Sequence, residues 1–479
     1  MQTDCFIAGA FAPAASGARF PVRDPATDET IAQVADGSTA DARRAVAAAA
    51  EAFPAWKSLA AIERAKPLRA LAALMMRDQE RLALICSREC GKPMAEARGE
   101  AAYAASFLEW YADEGRRVYG ETLPASDPGK RLLVLRQPAG VAAAITPWNF
   151  PLAMVTRKMG PALAAGCTQV VKPAEQTPLS ALAIAELAVE AGVPRGVLNV
   201  VPGADAPAVA AAFFEDMTVR HLSFTGSTEV GKILIAQSAR TVMRLSLELG
   251  GHAPFIVFDD ADLDKAVAGA IASKFRNSGQ TCVCANRFLV QRGVHDAFVE
   301  RLGAAVRALV VGIGRDAGVQ VGPLVDDAGL AKAERHIADA VAQGARVVAG
   351  GTRARPAGGA DRFLAPTVLA GVTPKMLCFR EETFGPVAPV AVFDTEEQAL
   401  ATANATEYGL AAYVYTRDGA RIMRMSEELQ YGIVGVNDPL PATAQAPFGG
   451  VKQSGLGREG GHHGIEEYLD LRLVSWRIA

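Results

Sequence analysis

Short apolar runs alternate with helical segments between residues 141 and 239, and this alternation restricts the fold more than any other feature. Strands are predicted where the chain is apolar for four or five residues, as at Val141–Ile145 and at 221–224. Helices are predicted between the strands, and one of them begins at Pro178, a residue that the first turn of a helix tolerates. Strands that alternate with helices form a parallel sheet whose faces are covered, and ligands bind beyond the carboxyl ends of its strands. We therefore predict an α/β protein.

The chain of 479 residues is longer than one hydrophobic core usually supports, so more than one domain is expected. Ala-rich sequence with helical spacing fills residues 41–117, and a second strand–helix pattern runs from about 251 to 430. A connection at 120–129, punctuated by Pro and Gly, precedes a short predicted strand at 131–136. A further strand is predicted at 472–478.

Composition and charge exclude several functional classes. Half of the residues are hydrophobic, 21% are charged and the formal net charge is −3, so neither nucleic acid nor an anionic membrane is expected as a partner. No apolar run approaches the ~20 residues of a membrane span. The N-terminal stretch carries Asp4 and no basic region, which argues against a secretory signal. Seven irregularly spaced cysteines predict neither a disulfide framework nor a structural metal site, so a reducing, cytoplasmic location is expected.

The segment 277–284 places Cys282 just after a small, polar turn that contains glycine. A thiol in such a position faces a cleft, and its thiolate can attack a carbonyl carbon and form a covalent adduct. The alternative is a small buried hydrophobe, which is the usual fate of an isolated cysteine. Cys282 is thus a candidate nucleophile whose assignment depends on its neighbours.

Two further residues are candidates for the same chemistry. Glu248 ends an apolar run before Gly250-Gly251, where burial would raise the carboxyl pKa as a general base requires. Asn149 follows the strand Val141–Ile145, and its amide is suited to a developing oxyanion. The alternatives are a structural ion pair for Glu248 and a turn residue for Asn149.

Two strand ends carry groups that suit a nucleotide. Gly226 and Ser227 lie between a strand and a helix, where free amides and close backbone approach favour a pyrophosphate. Lys172 and Glu175 follow the predicted strand at 168–171, where both side chains can bond a ribose. The alternatives are an ordinary capped helix at Ser227 and a solvated turn at Lys172.

Taken together, seven motifs resemble the aldehyde dehydrogenase superfamily in order and in spacing, and the resemblance covers essentially the whole chain. The motifs are Trp148-Asn149-Phe150-Pro151, Lys172-Pro173-Ala174-Glu175, Phe224-Thr225-Gly226-Ser227, Glu248-Leu249-Gly250-Gly251, Gly279-Gln280-Thr281-Cys282, Glu382-Thr383-Phe384-Gly385-Pro386 and Pro447-Phe448-Gly449-Gly450.

The resemblance implies a covalent mechanism. Cys282 attacks the aldehyde to form a thiohemiacetal, and Asn149 and the Cys282 backbone amide stabilise the oxyanion. Oxidation leaves a thioester, and Glu248 activates the water that hydrolyses it and helps to deprotonate Cys282. A soft nucleophile, an oxyanion donor and a carboxylate base are the groups that this oxidation requires.

The resemblance also implies a nicotinamide cofactor. The implied cofactor-binding residues are Trp148, Lys172, Glu175, Gly226, Ser227, Leu249, Glu382 and Phe384. Relatives that prefer NADP carry a small residue such as Ser where this chain has Glu175. A carboxylate accepts hydrogen bonds from ribose hydroxyls and repels a 2′-phosphate, so NAD is expected to be preferred and NADP to be used less well.

The segment 273–287 resembles the succinate-semialdehyde dehydrogenase branch of the superfamily. In that branch two arginines clamp the distal carboxylate of the substrate, and the matching residues here are Arg157 and Arg276; the alternative is a structural ion pair for either. The branch usually has a serine in the loop before Pro447, where this chain has Thr443 and two prolines. The substrate is therefore expected to be succinate semialdehyde, with glutarate semialdehyde or another ω-carboxy or aromatic aldehyde as the alternative.

Two residues near the nucleophile raise further hypotheses. Cys284 lies two residues beyond Cys282, and some relatives with this spacing form a reversible, strained disulfide; the alternative is a small buried thiol. His252 replaces an Asn often found after Gly250-Gly251 and is expected to pack structurally, although its proximity would also affect the pKa of Glu248.

By resemblance, residues 1–120 and 141–250 form an NAD-binding Rossmann-like domain and residues 251–430 a catalytic α/β domain. Residues 121–140 and 455–479 form a small β element that joins subunits into a dimer or tetramer. A CoA-acylating enzyme is disfavoured because Glu248 supplies a hydrolytic base. A non-catalytic structural protein on this fold is expected to lack Cys282, Glu248 or Asn149, and this chain retains all three.

Overall fold

The computed structural model describes residues 1–215 and 217–478. Residue 216, inside the predicted domain 141–250, and residue 479, inside the predicted element 455–479, lie outside the described residues. The strands of the described chain are β1 (Cys5–Ile7), β2 (Ala10–Ala12), β3 (Arg19–Arg23), β4 (Thr30–Ala35), β5 (Glu121–Leu123), β6 (Lys130–Pro138), β7 (Val141–Ile145), β8 (Thr168–Lys172), β9 (Leu198–Val200), β10 (Val219–Thr225), β11 (Arg244–Glu248), β12 (Ala253–Val257), β13 (Ala285–Gln291), β14 (Arg346–Ala349), β15 (Thr367–Ala370), β16 (Val387–Phe393), β17 (Ala411–Tyr415), β18 (Ile433–Val436), β19 (Gly455–Leu456) and β20 (Leu469–Arg477).

The α-helices of the same residues are α1 (Thr39–Ser58), α2 (Ala61–Arg77), α3 (Gln79–Cys90), α4 (Met94–Glu114), α5 (Ala153–Ala165), α6 (Pro178–Glu190), α7 (Ala206–Ala211), α8 (Thr228–Ser238), α9 (Leu263–Lys274), α10 (Arg292–Arg307), α11 (Asp327–Ala342), α12 (Leu377–Arg380), α13 (Glu396–Asn404), α14 (Gly419–Glu428) and α15 (His463–Glu466).

The first sheet has eight strands in the order β19-β11-β10-β7-β8-β9-β1-β2. Its central strands, from β11 to β9, are parallel, and β19 and β1 join its two sides antiparallel. Val141 and Ala143 of β7 contribute to one core, whereas Ala142 and Ala144 contribute to the core on the opposite face. Burial on both faces explains why these strands read as continuous apolar runs, and it confirms the predicted Rossmann-like parallel sheet.

The second sheet has seven strands in the order β14-β15-β16-β13-β12-β17-β18. All neighbours are parallel except β14 and β15. Phe255 and Val257 pack into the core on one face, and Ile256 and Phe258 pack into the core on the other. The predicted α/β class, with two parallel-sheet units, is confirmed.

A three-stranded antiparallel sheet in the order β20-β6-β5 combines segments from distant parts of the chain. The strands predicted at 131–136 and 472–478 correspond to β6 and β20, which pair over their whole length. Leu471, Leu473 and Trp476 of β20 are 60–66% exposed, so this sheet presents apolar side chains to its surroundings. A separate pair, β3 and β4, lies in the first 35 residues, where the sequence pattern predicted no element.

The parallel strands place the candidate residues along one edge of the first sheet. The carboxyl ends of β7, β8, β10 and β11 lead into Asn149, Lys172, Ser227 and Glu248 respectively. The connection between α9 of the second unit and β13 carries Cys282. In residues 1–215 and 217–478 no helix is long and apolar enough to cross a membrane.

Candidate active site

A cavity of about 320 Å³ opens beside Cys282. Its wall combines charged groups with apolar and aromatic side chains: Lys92, Glu96, Gly99, Glu100, Tyr103, Phe150, Met154, Arg157, Arg276, Thr281, Cys282, Val283, Leu440, Ala442 and Phe448. Most of these residues come from α4, α5, the segment 276–283 and the loop after β18, while Lys92 precedes α4 and Phe150 precedes α5. A concave, mostly apolar pocket with a few convergent polar groups is the usual form of a small-molecule site.

The turn before Cys282 has an unusual backbone. Asn277 and Ser278 both adopt the left-handed conformation, with φ of 49° and 56°. Hydrogen bonds hold this conformation in place: the Asn277 N–H donates to Glu96 Oε2 at 2.8 Å, and Ser278 Oγ donates to the Gly322 carbonyl at 2.9 Å. Two consecutive residues in a sparsely populated region persist only where the surroundings fix them. The surroundings of this turn therefore determine where the Cys282 thiol lies.

Cys282 differs from the other cysteines in its exposure. All seven cysteines lie in the described residues, and among them Cys282 alone is half-buried while the others are buried. Burial raises the pKa of the Cys282 thiol to about 12, the Arg157 guanidinium lowers it, and the Glu248 carboxylate raises it further. At neutral pH the group is therefore a thiol, and a base must take its proton before it attacks.

Glu248 ends β11 and is 3% exposed. Neither of its carboxylate oxygens has a hydrogen-bond partner within the described part of the chain. Burial raises the pKa of Glu248 well above its ordinary value, and the charge of Glu459 adds to that effect, while the cations of Arg157 and Lys158 oppose it. A carboxylate with a raised pKa is a stronger base, so Glu248 has the properties that general-base catalysis needs.

Asn149 is buried beside the turn that carries Cys282. Its Nδ2 donates to the Gln280 carbonyl at 3.0 Å. The backbone carbonyl of Asn149 accepts hydrogen bonds from Lys92 Nζ at 2.9 Å and from Asn277 Nδ2 at 3.0 Å. The Asn149 amide is thus held next to the Cys282 loop, where an oxyanion donor is required.

The candidate cofactor residues at the first sheet edge form a cradle that fits a dinucleotide. A Cβ built on Gly226 would lie 2.3 Å from the Phe224 ring, so only glycine allows the backbone this path. Ser227 caps α8, an eleven-residue helix that follows the carboxyl end of β10, and its Oγ accepts from the Val230 N–H at 3.3 Å. The first amides of such a helix suit a pyrophosphate. Leu249 is buried against Gly231 in the same helix.

Lys172 and Glu175 form a pair at the end of β8. Lys172 is 1% exposed, and its Nζ donates to Glu175 Oε2 at 3.2 Å. Burial lowers the pKa of Lys172, and the Glu175 carboxylate counteracts that shift. The Glu175 side chain is 40% exposed and remains available to a ligand.

Trp148, which follows β7 of the first sheet, contacts Phe384, which lies two residues after Glu382. The Trp148 and Phe384 rings contact edge to face, with centroids 5.5 Å apart, and Phe384 has a φ of 55°. Glu382 Oε1 accepts from the Gly251 N–H at 3.0 Å, and burial raises its pKa to about 7. Glu382 therefore lies against the Gly250-Gly251 link, and Trp148 lies against Phe384.

Arg157 and Arg276 line the cavity together with Cys282. The Arg157 guanidinium lies over the Phe448 ring at 3.6 Å from its centroid, and its Nε is 2.8 Å from Glu459 Oε2. Arg157 Nη2 and Arg276 Nε are buried and have no hydrogen-bond partner among the described residues. Two guanidinium groups with unused donors in one cavity suit a bidentate anion such as a carboxylate.

Thr443 does not join the two arginines. Its side chain is exposed and is not part of the cavity wall, whereas Leu440 and Ala442 of the same loop are. The prediction that Thr443 replaces a substrate-binding serine therefore has no support in the geometry. The loop between Asn437 and Pro447 instead gives the cavity an apolar side.

Cys284 and His252 both have structural partners. Cys284 is buried; its Sγ donates to the Gly279 carbonyl at 3.2 Å and accepts from Lys274 Nζ at 3.4 Å. His252 Nε2 hydrogen-bonds to the Phe379 carbonyl at 2.7 Å, and burial lowers its pKa well below the ordinary value. The ring is therefore neutral and packs structurally, as expected, and the groups that shift the pKa of Glu248 do not include it.

Several charged residues near the site were not predicted. Glu459 forms an ion pair with Lys158, which also donates to Ser223 Oγ and Thr225 Oγ1 at 2.9 and 2.8 Å. Lys92 and Glu100 form a second buried pair beside Phe150. A sequence signal for Lys158 existed, because it interrupts a helix whose other residues are largely apolar, but its partner lies 301 residues away.

Comparisons with known proteins agree with this geometry. A model described as "Aldehyde dehydrogenase family" matches residues 11–474. The chain is 55% identical to a glutarate-semialdehyde dehydrogenase of Pseudomonas aeruginosa and 55% identical to an NADP(+) succinate-semialdehyde dehydrogenase of Escherichia coli, over 99% of this chain and 97% of each relative. A crystal structure of succinate-semialdehyde dehydrogenase from Burkholderia pseudomallei superposes with a TM-score of 0.98 at 55% identity, covering 100% of this chain and 98% of the other.

The raised pKa of Cys282 predicts how its alkylation depends on pH. Because the thiol pKa lies near 12, each unit of pH below that value changes the thiolate fraction about tenfold. The second-order rate constant for labelling Cys282 with iodoacetamide should therefore rise about tenfold per unit from pH 7 to 9.5. Mass spectrometry of the labelled peptide measures this rate. A plateau below pH 9 would contradict the raised pKa, and a Cys282→Ser variant is the control for labelling elsewhere.

Proposed function

The chain belongs to the aldehyde dehydrogenase family, and on that premise we propose that it oxidises succinate semialdehyde to succinate through a covalent cysteine intermediate. Oxidation of an aldehyde with a nicotinamide cofactor is the activity of the family. The choice of substrate rests on one observation: Arg157 and Arg276 line the same cavity as Cys282, and each has a buried donor that no described residue bonds. A substrate with a carboxylate at its far end satisfies both groups.

The proposed reaction begins at Cys282. Glu248, a desolvated carboxylate whose charge acts on the thiol, takes the proton as the sulfur adds to the aldehyde carbon. The oxyanion that forms accepts hydrogen bonds from the Asn149 amide and the Cys282 N–H. A bound nicotinamide would supply the hydride acceptor that conversion of the thiohemiacetal to a thioester requires. Glu248 passes the thiol proton to solvent and then removes a proton from the water that attacks the thioester. It returns this proton to the sulfur as the acid leaves, which regenerates the thiol.

The proposed cofactor site uses the cradle described above. Gly226, Ser227 and the first turn of α8 suit the pyrophosphate, and Leu249 packs beneath that helix. Lys172 and Glu175 are assigned to the adenosine ribose, and Glu382, Phe384 and Trp148 to the nicotinamide end. The negative charge of Glu175 repels a 2′-phosphate. Because Glu175 also pairs with Lys172, it partly neutralises the ammonium group that would attract such a phosphate. NAD is therefore proposed as the preferred cofactor, with weaker use of NADP.

Glutarate semialdehyde is the second candidate substrate. A relative that is 55% identical carries that name, the same identity as the relative named for succinate semialdehyde. The two substrates differ by one methylene and share both the aldehyde and the carboxylate. The proposed roles of Arg157 and Arg276 are the same for either one. Thr443 is left out of the proposed substrate site because it does not contact the cavity.

We propose that residues 1–120 and 141–250 bind the cofactor, that residues 251–430 carry the nucleophile, and that 121–140 with 455–479 joins subunits into a dimer or tetramer. The exposed apolar side chains of β20 support the last assignment, since such a surface is normally covered by a partner. A monomeric mass in solution by light scattering would contradict it. A cytoplasmic location is proposed from the odd, irregularly spaced cysteines.

Redox control through a disulfide between Cys282 and Cys284 is also a proposal. Cys284 is buried and hydrogen-bonded to the Gly279 carbonyl, so the turn has to open before the two sulfurs can meet. A bridge across one intervening residue is strained and hence easily reduced. Activity lost to peroxide and not recovered with dithiothreitol would rule it out.

The substrate proposal predicts a preference for charged aldehydes that depends on Arg276. Wild-type kcat/KM should favour succinate semialdehyde over pentanal by at least about tenfold, equivalent to about 1.4 kcal/mol. Arg276→Gln should lower kcat/KM for succinate semialdehyde by about 10- to 100-fold, because a charged hydrogen bond to the carboxylate is lost, and change that for pentanal by less than about threefold. Initial rates of NADH formation measure both values.

The control variant is Arg301→Gln, which removes a guanidinium from a surface ion pair with Asp264 and should leave both substrates unaffected. A wild-type preference for pentanal would refute carboxylate recognition and leave only the general activity of the family. Equal losses for both aldehydes in Arg276→Gln would indicate that Arg276 supports the fold of the turn and not the substrate.

The cofactor proposal predicts that Glu175→Ser shifts the preference toward NADP. The substitution removes the carboxylate that repels a 2′-phosphate and frees Lys172 to bind it, so the NADP/NAD ratio of kcat/KM should rise by about tenfold or more. Glu190→Ser is the matched control, since it removes the same charge at the far end of α6 and should not change the ratio. An unchanged ratio in Glu175→Ser would show that this carboxylate does not select the cofactor.

A further inference from the structure

Lys92 is a buried cation that the proposed reaction does not use. It follows α3 and is 1% exposed, and its ammonium lies 3.9 Å from the centroid of the Phe150 ring. Burial disfavours the charged form, but the Glu100 carboxylate, with smaller effects from Cys86 and Cys90, outweighs that cost and raises the pKa of Lys92 above its ordinary value. A charged lysine in such surroundings makes strong hydrogen bonds, because little water competes for them.

The Lys92–Glu100 pair makes hydrogen bonds to the backbone at both ends of the turn between β7 and α5. Lys92 Nζ bonds to Glu100 Oε2 and donates to the Asn149 carbonyl at 2.9 Å. Glu100 Oε1 accepts from the backbone N–H groups of Leu152 at 2.9 Å and Ala153 at 3.3 Å. The pair therefore fixes the backbone immediately after β7, from the carbonyl of Asn149 to the first amides of α5.

A second contact to the same carbonyl connects this turn to the nucleophile loop. Asn277 Nδ2 donates to the Asn149 carbonyl at 3.0 Å, and the Asn149 side chain donates to the Gln280 carbonyl, also at 3.0 Å. The backbone carbonyl of Asn149 is thus held by Lys92 and Asn277, and its side-chain amide is held by the Gln280 carbonyl. Removing the charged donor leaves the carbonyl with only the neutral amide of Asn277.

We propose that Lys92, paired with Glu100, is a positioning residue that fixes the backbone of Asn149 and so aims the Asn149 amide at the oxyanion. The inference rests on the proposed function, because it requires Asn149 to be the oxyanion donor. A competing explanation is that Lys92, which also lines the cavity, binds the carboxylate of the substrate directly. The two explanations differ in which substrates they affect.

The test is a double-mutant cycle between Lys92→Met and Asn149→Ala, with single-turnover NADH formation measured for succinate semialdehyde and for pentanal. Lys92→Met should slow NADH formation by about tenfold or more, and by the same factor for both aldehydes, because the oxyanion is common to them. When Asn149→Ala is already present, adding Lys92→Met should lower the rate of NADH formation by less than about twofold, because the side-chain amide that Lys92 positions is absent.

A loss confined to succinate semialdehyde would overturn the proposal in favour of direct carboxylate binding. The proposal would also be overturned if the rate of the double variant fell by the product of the two single-variant factors, or if Lys92→Met kept the wild-type rate. If Asn149→Ala alone retains full activity, the oxyanion assignment itself is wrong and the inference fails with it. A wild-type enzyme that oxidises neither aldehyde would instead refute the proposed function.

Lys92→Met leaves Glu100 buried without its cation, which can prevent folding. The variant Lys92→Met/Glu100→Leu removes both charges and still lacks the donor to Asn149, so the same cycle and the same criteria apply to it. Lys66→Met, which changes a lysine of a surface pair, is the control for the substitution and should keep the wild-type rate. Thermal melting shows which variants are folded before their rates are compared.

Discussion

The removal of water from charged groups beneath the cavity is the constraint on which the rest of the site depends. Glu459 is buried between Arg157 and Lys158, and these cations lower its pKa even though burial acts against ionisation. The resulting negative charge faces Glu248, whose own carboxylate has no hydrogen-bond partner in the described chain. In water such charges would be screened and Glu248 would titrate near its ordinary pKa. In this buried interior, desolvation and the charge of Glu459 raise the pKa of Glu248, and burial keeps Cys282 in its thiol form.

A site that depends on burial requires its backbone segments to approach each other closely. The Gly250-Gly251 link passes the nucleophile loop so tightly that a Cβ on Gly251 would lie 2.3 Å from the Cys282 carbonyl. The left-handed Asn277 and Ser278 turn the chain back toward the first sheet, and their buried hydrogen bonds offset the backbone strain. The two parallel sheets thus meet at a seam with little room for water, and the groups from each sheet act on one another at low dielectric.

The sequence predicted the parts of this arrangement that are local. Apolar runs such as Val141–Ile145 predicted the parallel strands, because burial on both faces leaves a continuous apolar signal, and the motifs at Glu248 and Cys282 lie where those strands and loops end. Strands β1 and β2 were missed because each has only three residues, and β3 and β4 were missed because polar and apolar residues are mixed within them. The ion pair of Lys158 with Glu459 joins residues 301 apart, and no local pattern records such a pair. Thr443 was placed by its position in a loop, and sequence alone does not give the direction in which a loop side chain points.

Under the proposed function, the residues of the cavity wall determine the selectivity for substrate charge and for substrate length. Arg157 Nη2 and Arg276 Nε have no hydrogen-bond partner among the described residues, so under the proposed function an uncharged aldehyde would leave both unsatisfied. A site built this way rejects analogues that lack the bonding group by large factors. Length is recognised differently. Leu440 and Ala442 contribute an apolar surface, and one methylene against such a surface is worth only about 1–3 kcal/mol. The proposed carboxylate contacts of Arg157 and Arg276 therefore imply a stronger distinction between charged and uncharged aldehydes than between a four-carbon and a five-carbon semialdehyde. Relatives of equal similarity carry the names of both substrates.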